Sequence, residues 1–139
     1  MKSFIKENTW LTRGIIDFGW GNGYVIIPKD HPLNGKNYDE IHDLMPKLDV
    51  NGGLTFSESA DSIDWEEIPE KNEGDWIVGF DTAHYSDNLE KWSKEKVQEE
   101  ADNLKEQLSS YETVAELSKK YFELANKRIE YETAQTKLF

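Results

Sequence analysis

Apolar and polar residues follow two different patterns along the chain, with a change near Asp87. Before that residue, short apolar runs alternate with turn signals, and all nine glycines and all four prolines lie there. After it, apolar residues recur at helical spacing and Glu, Lys, Leu and Ala dominate. The patterns predict a strand and loop core at residues 1–87 and a helical region at residues 88–139, together forming one compact unit.

The first region contains four apolar runs of strand length. They are Arg13–Phe18, Gly23–Pro28, Gly53–Ser57 and Asp75–Asp81. The glycine-rich stretch 19–22 joins the first two runs as a hairpin, and such short turns favour antiparallel pairing. A short helix is predicted at Tyr38–Met45, with Pro46 as its stop. Residues 58–75 are too polar for a core element and predict a long acidic loop, whose length suggests a role or mobility.

The helical region offers two helix starts. Asp87 with Glu90 has the spacing of a capping box, and so has Thr113 with Glu116, after a break at Ser109-Ser110. One face of the first helix has Leu89, Trp92, Val97, Ala101, Leu104 and Leu108, and a heptad-like stripe on the second has Val114, Leu117, Tyr121, Leu124, Arg128 and Tyr131. We therefore expect an α+β protein with a small, mainly antiparallel sheet followed by a C-terminal helical hairpin or one long bent helix. Either the first helix or a second copy of the chain would cover the stripe, so a homo-oligomer is one expected assembly.

Charge and composition exclude several classes of function. The 139 residues have 16 basic and 28 acidic side chains, and residues 54–100 alone carry a net charge of −10. Such a chain is poorly suited to grip a phosphate backbone, so we expect no direct nucleic-acid partner. Cysteine is absent, which excludes disulfides and thiolate sites. Without an apolar stretch of membrane length or a secretory leader, the sequence predicts a soluble cytoplasmic protein with no membrane partner.

The segment from Gly79 to Asp87 concentrates the candidate chemistry. His84 lies there between a predicted strand end and a predicted helix start, with the hydroxyls of Thr82 and Tyr85 nearby. Amide groups at a helix start favour an anion, so this pattern suggests a small phosphorylated or otherwise anionic ligand. The structural alternative is that Asp81 ties down the loop, Asp87 caps the helix and His84 packs against Trp76 or Trp92.

Signals for catalysis are weak by comparison. His31 in a proline turn and His42 in the short helix are typical of structural or surface positions. Asp81, His84 and Asp87 have acceptable metal-ligand types, but Asp87 is better used as a cap. No nucleophile elbow, phosphate loop or zinc-protease motif occurs. The sequence therefore predicts no catalytic residues, no metal and no cofactor, although activity is not excluded.

Four ordered blocks resemble a group of small phage and prophage proteins of uncharacterised function. The blocks are Gly23-Tyr24-Val25 to Pro28 with His31-Pro32-Leu33 and Gly35; Gly52-Gly53-Leu54-Thr55-Phe56; Trp76 with Gly79 to His84 and Asp87; and Leu104 with Gln107-Leu108. Asn51 departs from the pattern, since the family has His before the two glycines. The resemblance implies a mobile-element context, and hence the host cytoplasm, but no activity.

Three hypotheses of function follow. The first is a binding protein that sequesters a small ligand or inhibits a host defence factor, since small phage proteins without an enzyme motif often act by binding. Its pocket would use His31, Thr55, Trp76, Asp81, Thr82, His84 and Tyr85. The second is a protein–protein inhibitor whose acidic stretch mimics nucleic acid. The third is a metal-assisted hydrolase using His31, Asp81 and His84. We place binding first, with a small anionic ligand or a host protein as partner.

Overall fold

The computed structural model describes residues 1–8 and 18–137, with side chains described as far as residue 127. These residues form four strands and three helices joined by loops, as predicted for an α+β protein. The strands are β1 (Lys2–Glu7), β2 (Gly21–Ile27), β3 (Phe56–Ser59) and β4 (Trp76–Phe80). The helices are α1 (Tyr38–Leu44), α2 (Lys94–Ser109) and α3 (Val114–Lys137), with a 3-10 turn at Ala60–Ser62.

The four strands form one open sheet in the order β1-β2-β4-β3, and every neighbouring pair is antiparallel. The antiparallel prediction is therefore confirmed. β2 and β4 are the apolar runs that were predicted near residues 23–28 and 75–81, and both are central because they bury side chains on both faces. α1 also forms where it was predicted, with Asn37 and Glu40 completing a capping box.

The partner of β2 differs from the prediction. β1 pairs with β2 through a register in which Lys6 faces Asn22, whereas the strand predicted at Arg13–Phe18 lies outside the described residues except for its last residue. Gly21 and Asn22 belong to β2 and do not form a hairpin turn. A Cβ atom on Gly21 would lie 2.1 Å from the carbonyl oxygen of Lys6, so this glycine permits the close approach of two strands.

One face of the sheet packs against the helices, and we call it the helical face. Val25, Val78 and Phe80 project there, and α2 covers β1 and β2. The predicted apolar positions of α2 from residue 97 onward are all fully buried, namely Val97, Ala101, Leu104 and Leu108. Burying a Val or Leu side chain contributes about 1.5–3 kcal/mol. The larger of the two clusters of buried apolar residues lies on this face.

The start of α2 was predicted too early. Ser93, not Asp87, is its N-cap, and its hydroxyl accepts a hydrogen bond from the amide of Lys96. Leu89, predicted to face the core, is half exposed in the preceding turn. Asp87 matched the spacing of a capping box, but its carboxylate binds other groups, which are described below.

The opposite face carries an aromatic cluster, and we call it the aromatic face. Phe4, Tyr24, Ile26 and Ile77 are buried there beneath residues 60–75. This cover segment was predicted as a loop too polar for the core, but it buries Ala60 and Ile63 and partly buries Trp65 and Ile68. The loop prediction is confirmed for residues 63–75. The segment nevertheless contributes to the core, because Ala60, Ile63, Trp65 and Ile68 pack against the sheet while its carboxylates, except the buried Asp75, lie outside.

α3 begins at the predicted second capping box. The amide of Glu116 donates to the hydroxyl of Thr113, and the Glu116 carboxylate accepts from the amide of Thr113. The chain thus forms two C-terminal helices, broken at Ser110. The apolar stripe of α3 does not pack on α2. All four of its residues up to position 124 are exposed, namely Val114, Leu117, Tyr121 (72%) and Leu124.

Candidate functional site

A polar row crosses the aromatic face at one end of the sheet. Lys6 of β1 faces Asn22 of β2, and the pairing of Gly23 with Phe80 places Asn22 beside Asp81, directly after β4. Adjacent strands lie about 4.8 Å apart, so the three side chains start from backbone positions that span roughly 10 Å. The row thus brings a cation, an amide and a carboxylate together from distant parts of the chain.

Aromatic rings border this row. The ring of Trp65 lies 5.0 Å from that of Tyr24 and 5.4 Å from that of Phe56, measured between centroids. The ammonium nitrogen of Lys6 lies 5.7 Å from the centroid of Trp65, within the range of a cation–π contact. Trp65 therefore joins the cover segment to the polar row.

The row, Tyr24 and Trp65 border a cavity of about 570 Å³ that is open to solvent, which we call the polar cavity. Small-molecule sites usually have volumes of roughly 300–1,000 Å³, so the space is sufficient for a small ligand. Its walls combine charged, amide and aromatic side chains: Lys6, Glu7, Asn8, Asn22, Tyr24, Trp65, Asp81, Ala83 and His84.

His84 is fixed by a buried carboxylate behind it. Its Nδ1 lies 2.8 Å from Oδ2 of Asp87, and its backbone amide donates to the same oxygen over 3.0 Å. The Asn51 amide group also donates to both carboxylate oxygens of Asp87. An ionised carboxylate can only accept a hydrogen bond, so Nδ1 of His84 carries the hydrogen that is donated to Asp87. The other ring nitrogen, Nε2, lies 3.7 Å from Oδ1 of Asp81. The imidazole is thus held between two carboxylates.

Asp87 has its pKa lowered from the ordinary 3.8. Burial alone raises it, but hydrogen bonds from the backbone and ring of His84 and from Asn51 together outweigh burial. A carboxylate with a lowered pKa in the folded state stabilises the protein above its unfolded pKa, and that contribution is lost as pH falls through the folded value.

Replacing Asp87 by asparagine is therefore expected to lower the free energy of unfolding by about 1–3 kcal/mol at pH 7. The difference from wild type should begin to shrink as the pH falls below about 4, because Asp87 of the unfolded chain then takes up a proton, and it should continue to shrink until the folded carboxylate is protonated at lower pH. Urea unfolding at pH 3 to 7 measures both effects. Asp43→Asn, on the exposed surface of α1, is the matched control. A loss that is equal at every pH would contradict the assigned role of the Asp87 charge.

Asp81 is held in place by its own neighbours. One carboxylate oxygen accepts from the hydroxyl of Thr55 over 2.8 Å, and the other accepts from the amide of Ala83 over 3.0 Å. The predicted site residue Thr55 therefore lies beside Asp81 without lining the polar cavity. These contacts fix the carboxylate at the cavity wall before any ligand arrives.

The hydroxyl of Tyr24 ends a chain of side-chain hydrogen bonds among residues that line the cavity. The side-chain amide of Asn8 donates to that of Asn22 over 3.3 Å, and Asn22 donates to the Tyr24 hydroxyl over 3.2 Å. Burial raises the pKa of Tyr24, the Asn22 hydrogen bond opposes that rise, and Asp81 and Glu67 add to it. The phenol is therefore neutral and presents a hydrogen-bonding group.

Of the seven predicted site residues, Asp81 and His84 line the polar cavity, whereas Thr55 and four others do not. His31 and Trp76 lie toward the opposite end of the sheet, where His31 accepts a hydrogen bond from the amide of Leu33 and Trp76 donates to the carbonyl of Lys36. The hydroxyl of Thr82 is buried on the helical side and donates to the carbonyl of Gly21. Tyr85 is fully exposed.

The expected helix start at His84 is also absent from the site. α2 begins at Lys94, so neither its free amides nor its dipole acts on the residues around His84. The structural alternative was correct that Asp81 ties down this loop. The expectation that Asp87 caps a helix was wrong, because the N-cap of α2 is Ser93. The His84 ring packs over Gly52, where a Cβ atom would lie 2.2 Å from the ring.

The trio proposed for metal-assisted hydrolysis is not brought together, because His31 is separated from Asp81 and His84 by the length of the strands. Within the part of the chain that the structure describes, no three His, Asp or Glu side chains form a group able to hold a metal ion. His42 has a structural contact that the sequence did not reveal, since its Nε2 accepts from the amide of Leu54.

Six cavity residues were not predicted from the sequence. They are Lys6 and Glu7 of β1, Asn8 directly after it, Asn22 and Tyr24 of β2, and Trp65 of the cover segment. Phe4 and Lys6 are two residues apart in β1, and this spacing could have indicated that they share one face of the sheet. Nothing local predicts that Trp65 returns to that face from an acidic segment.

Comparison with protein-family models, curated proteins and solved structures finds no match for this chain. Among the helices that the structure describes, none combines the length and apolar character needed to span a membrane.

Proposed function

We propose that this protein binds a small polar ligand in the polar cavity and acts by holding it. The supporting observation is the row of Lys6, Asn22 and Asp81 beside Trp65 and Tyr24, at a cavity of suitable size. Few convergent polar groups next to aromatic walls are typical of ligand sites. The rings supply contact area, and the polar row orients the ligand.

Binding is favoured over catalysis by how the ionisable side chains are used. Nδ1 of His84 is engaged with Asp87, and both oxygens of Asp81 accept hydrogen bonds from within the protein. Groups that are fixed by internal contacts are well placed to orient a ligand. Lys6 supplies a positive charge at the cavity for an anionic group of the ligand, in place of the predicted helix start.

A ligand titration followed by ¹H–¹⁵N NMR tests this proposal. Inorganic phosphate, nucleotides, amines and amino acids form the panel. We expect one class to shift the amide signals of Lys6, Asn22 and Ala83. Ala83→Leu should weaken that binding at least tenfold, because the larger side chain fills the half-buried cavity wall.

Ala115→Leu on the exposed surface of α3 makes the same addition away from the cavity and should leave binding unchanged. If no member of the panel perturbs the cavity signals, the proposal is wrong.

We also propose, on the resemblance to small phage proteins, that the protein either removes a host signal by capturing it or inhibits a host defence factor through its acidic surface. The ligand-binding cavity supports the first route. The second route is supported by the cover segment, which presents exposed carboxylates at Asp61, Asp64, Glu66, Glu67, Glu70 and Glu73. Lys71 holds this segment by donating to the carbonyls of Ala60 and Ile63, so the charges are displayed on an anchored surface of the kind that a nucleic-acid mimic requires.

For assembly, we propose that α3 joins two copies of the chain. Its exposed apolar residues keep the spacing of a coiled-coil seam from Val114 to Leu124. Leu117 of this stripe also lines a second cavity of about 560 Å³, whose apolar wall includes Met45, Leu48 and Tyr111. Residues 114–137 carry five basic and four acidic side chains, whereas the rest of the chain has a net charge of −13. Two α3 helices can therefore meet without the repulsion that the acidic surfaces would cause.

A further inference from the structure

The polar row has charges of opposite sign at its two ends. Lys6 lies at the β1 end and Asp81 at the β4 end, with the neutral amide of Asn22 between them. The two charged residues are separated by a strand, so a ligand can lie between them. A ligand with a single charge would pair with the charged residue at one end of the row and leave the charged residue at the other end without a partner on the ligand.

The surroundings of the two ends reinforce this difference. At the Asp81 end, His84 is flanked by two carboxylates, Asp81 and Asp87, so the group as a whole is not positive. At the other end, the Lys6 ammonium lies over the Trp65 ring, with Glu7 on the adjacent rim. A positive ligand group therefore suits the Asp81 end, and a negative one suits Lys6 and the amide of Asn22.

We propose that the ligand is a small zwitterion of the α-amino acid type. This inference rests on the proposed ligand-binding function. The ligand carboxylate contacts Lys6 and Asn22, its ammonium contacts Asp81, and its side chain packs against Trp65 and Tyr24. The rings favour an apolar or aromatic side chain, since each ring offers a flat contact surface. The ligand ammonium and carboxylate together leave the charge of the cavity unchanged.

Calorimetric titration with three related compounds tests the assignment of each end. L-phenylalanine has both charges, L-phenylalaninamide lacks the carboxylate, and N-acetyl-L-phenylalanine lacks the ammonium. Wild type is expected to bind the zwitterion about 10–100-fold more tightly than either derivative, because each derivative loses a charge-assisted hydrogen bond.

Two variants separate the ends. Lys6→Met should weaken binding of phenylalanine about tenfold or more and leave binding of the amide almost unchanged, because the amide has no carboxylate to lose. Asp81→Asn should weaken binding of phenylalanine similarly and leave binding of the N-acetyl compound almost unchanged. Lys2→Met, on the same strand but at its other end, and Asp43→Asn on α1 are matched controls.

The results distinguish this inference from the function on which it rests. Equal affinity of wild type for phenylalanine and either derivative would overturn the zwitterion, and this comparison holds even if a variant fails to fold. Binding of only nucleotides, phosphate or amines at the cavity would also overturn it, while the ligand-binding function would stand. Loss of all cavity binding across the NMR panel would overturn both.

Discussion

Gly23→Ala is expected to lower the free energy of unfolding by about 3 kcal/mol, near the upper end of the usual cost of overpacking a core. A Cβ atom at this position of β2 would lie 2.4 Å from the Phe80 ring and 3.0 Å from the Cβ of Ala101. Phe80 and Ala101 are both fully buried, so neither can move without disturbing the helical face. Urea unfolding monitored by circular dichroism measures the change.

Gly35→Ala is the matched control for this variant. A Cβ atom there meets no atom within 4 Å, but the backbone φ is +82°. The control should therefore cost about 1 kcal/mol, from backbone conformation alone. If Gly23→Ala costs no more than Gly35→Ala, the close packing of β2 against α2 is not as described.

The double variant Leu117→Asp with Leu124→Asp is expected to convert a dimer into a monomer. Both leucines are exposed in the single chain, by 43% and 59%, so their replacement removes few contacts within it. In a dimer, each aspartate would place a charge in the apolar seam, which strongly disfavours association. Sedimentation equilibrium should show the mass halved, while the unfolding of the sheet and α2 remains close to wild type.

Ala115→Asp with Asn126→Asp adds the same two charges on the opposite side of α3 and should leave the dimer intact. A wild-type protein that sediments as a monomer would contradict the proposed assembly. So would a double leucine variant that remains dimeric.

The parts of the fold that local patterns specify were predictable. β2 and β4 are apolar runs bounded by turn signals, and the break at Ser110 with the Thr113 cap separates the last two helices. Errors arose where two signals of similar strength competed. Asp87 and Ser93 both suit an N-cap, and the choice depends on the contacts of Asp87 with His84 and Asn51, which come from the tertiary structure.

The candidate site was only partly predictable because its two halves are brought together by strand pairing. Asp81 and His84 lie in one short polar segment that is visible in the sequence. Lys6 and Asn22 join them through a register that no local pattern sets, since β1 and β2 are separated by residues 8–20. His31 and Thr82 lie away from the polar cavity, and the sequence could not show this because chemical suitability does not determine which end or face of the sheet a side chain occupies.

The cover segment makes the two faces of the sheet differ in how easily they open. Residues 60–75 attach to the sheet mainly through the side chains of Ile63, Trp65 and Ile68, not through a ladder of backbone hydrogen bonds. Such a segment can open locally at a lower free energy than the strands beneath it. Under the proposed binding function, ligand entry and release would not require the strands to separate. We therefore expect sequence changes in the cover to alter the rate of ligand exchange, and changes on the helical face to alter the global stability of the fold.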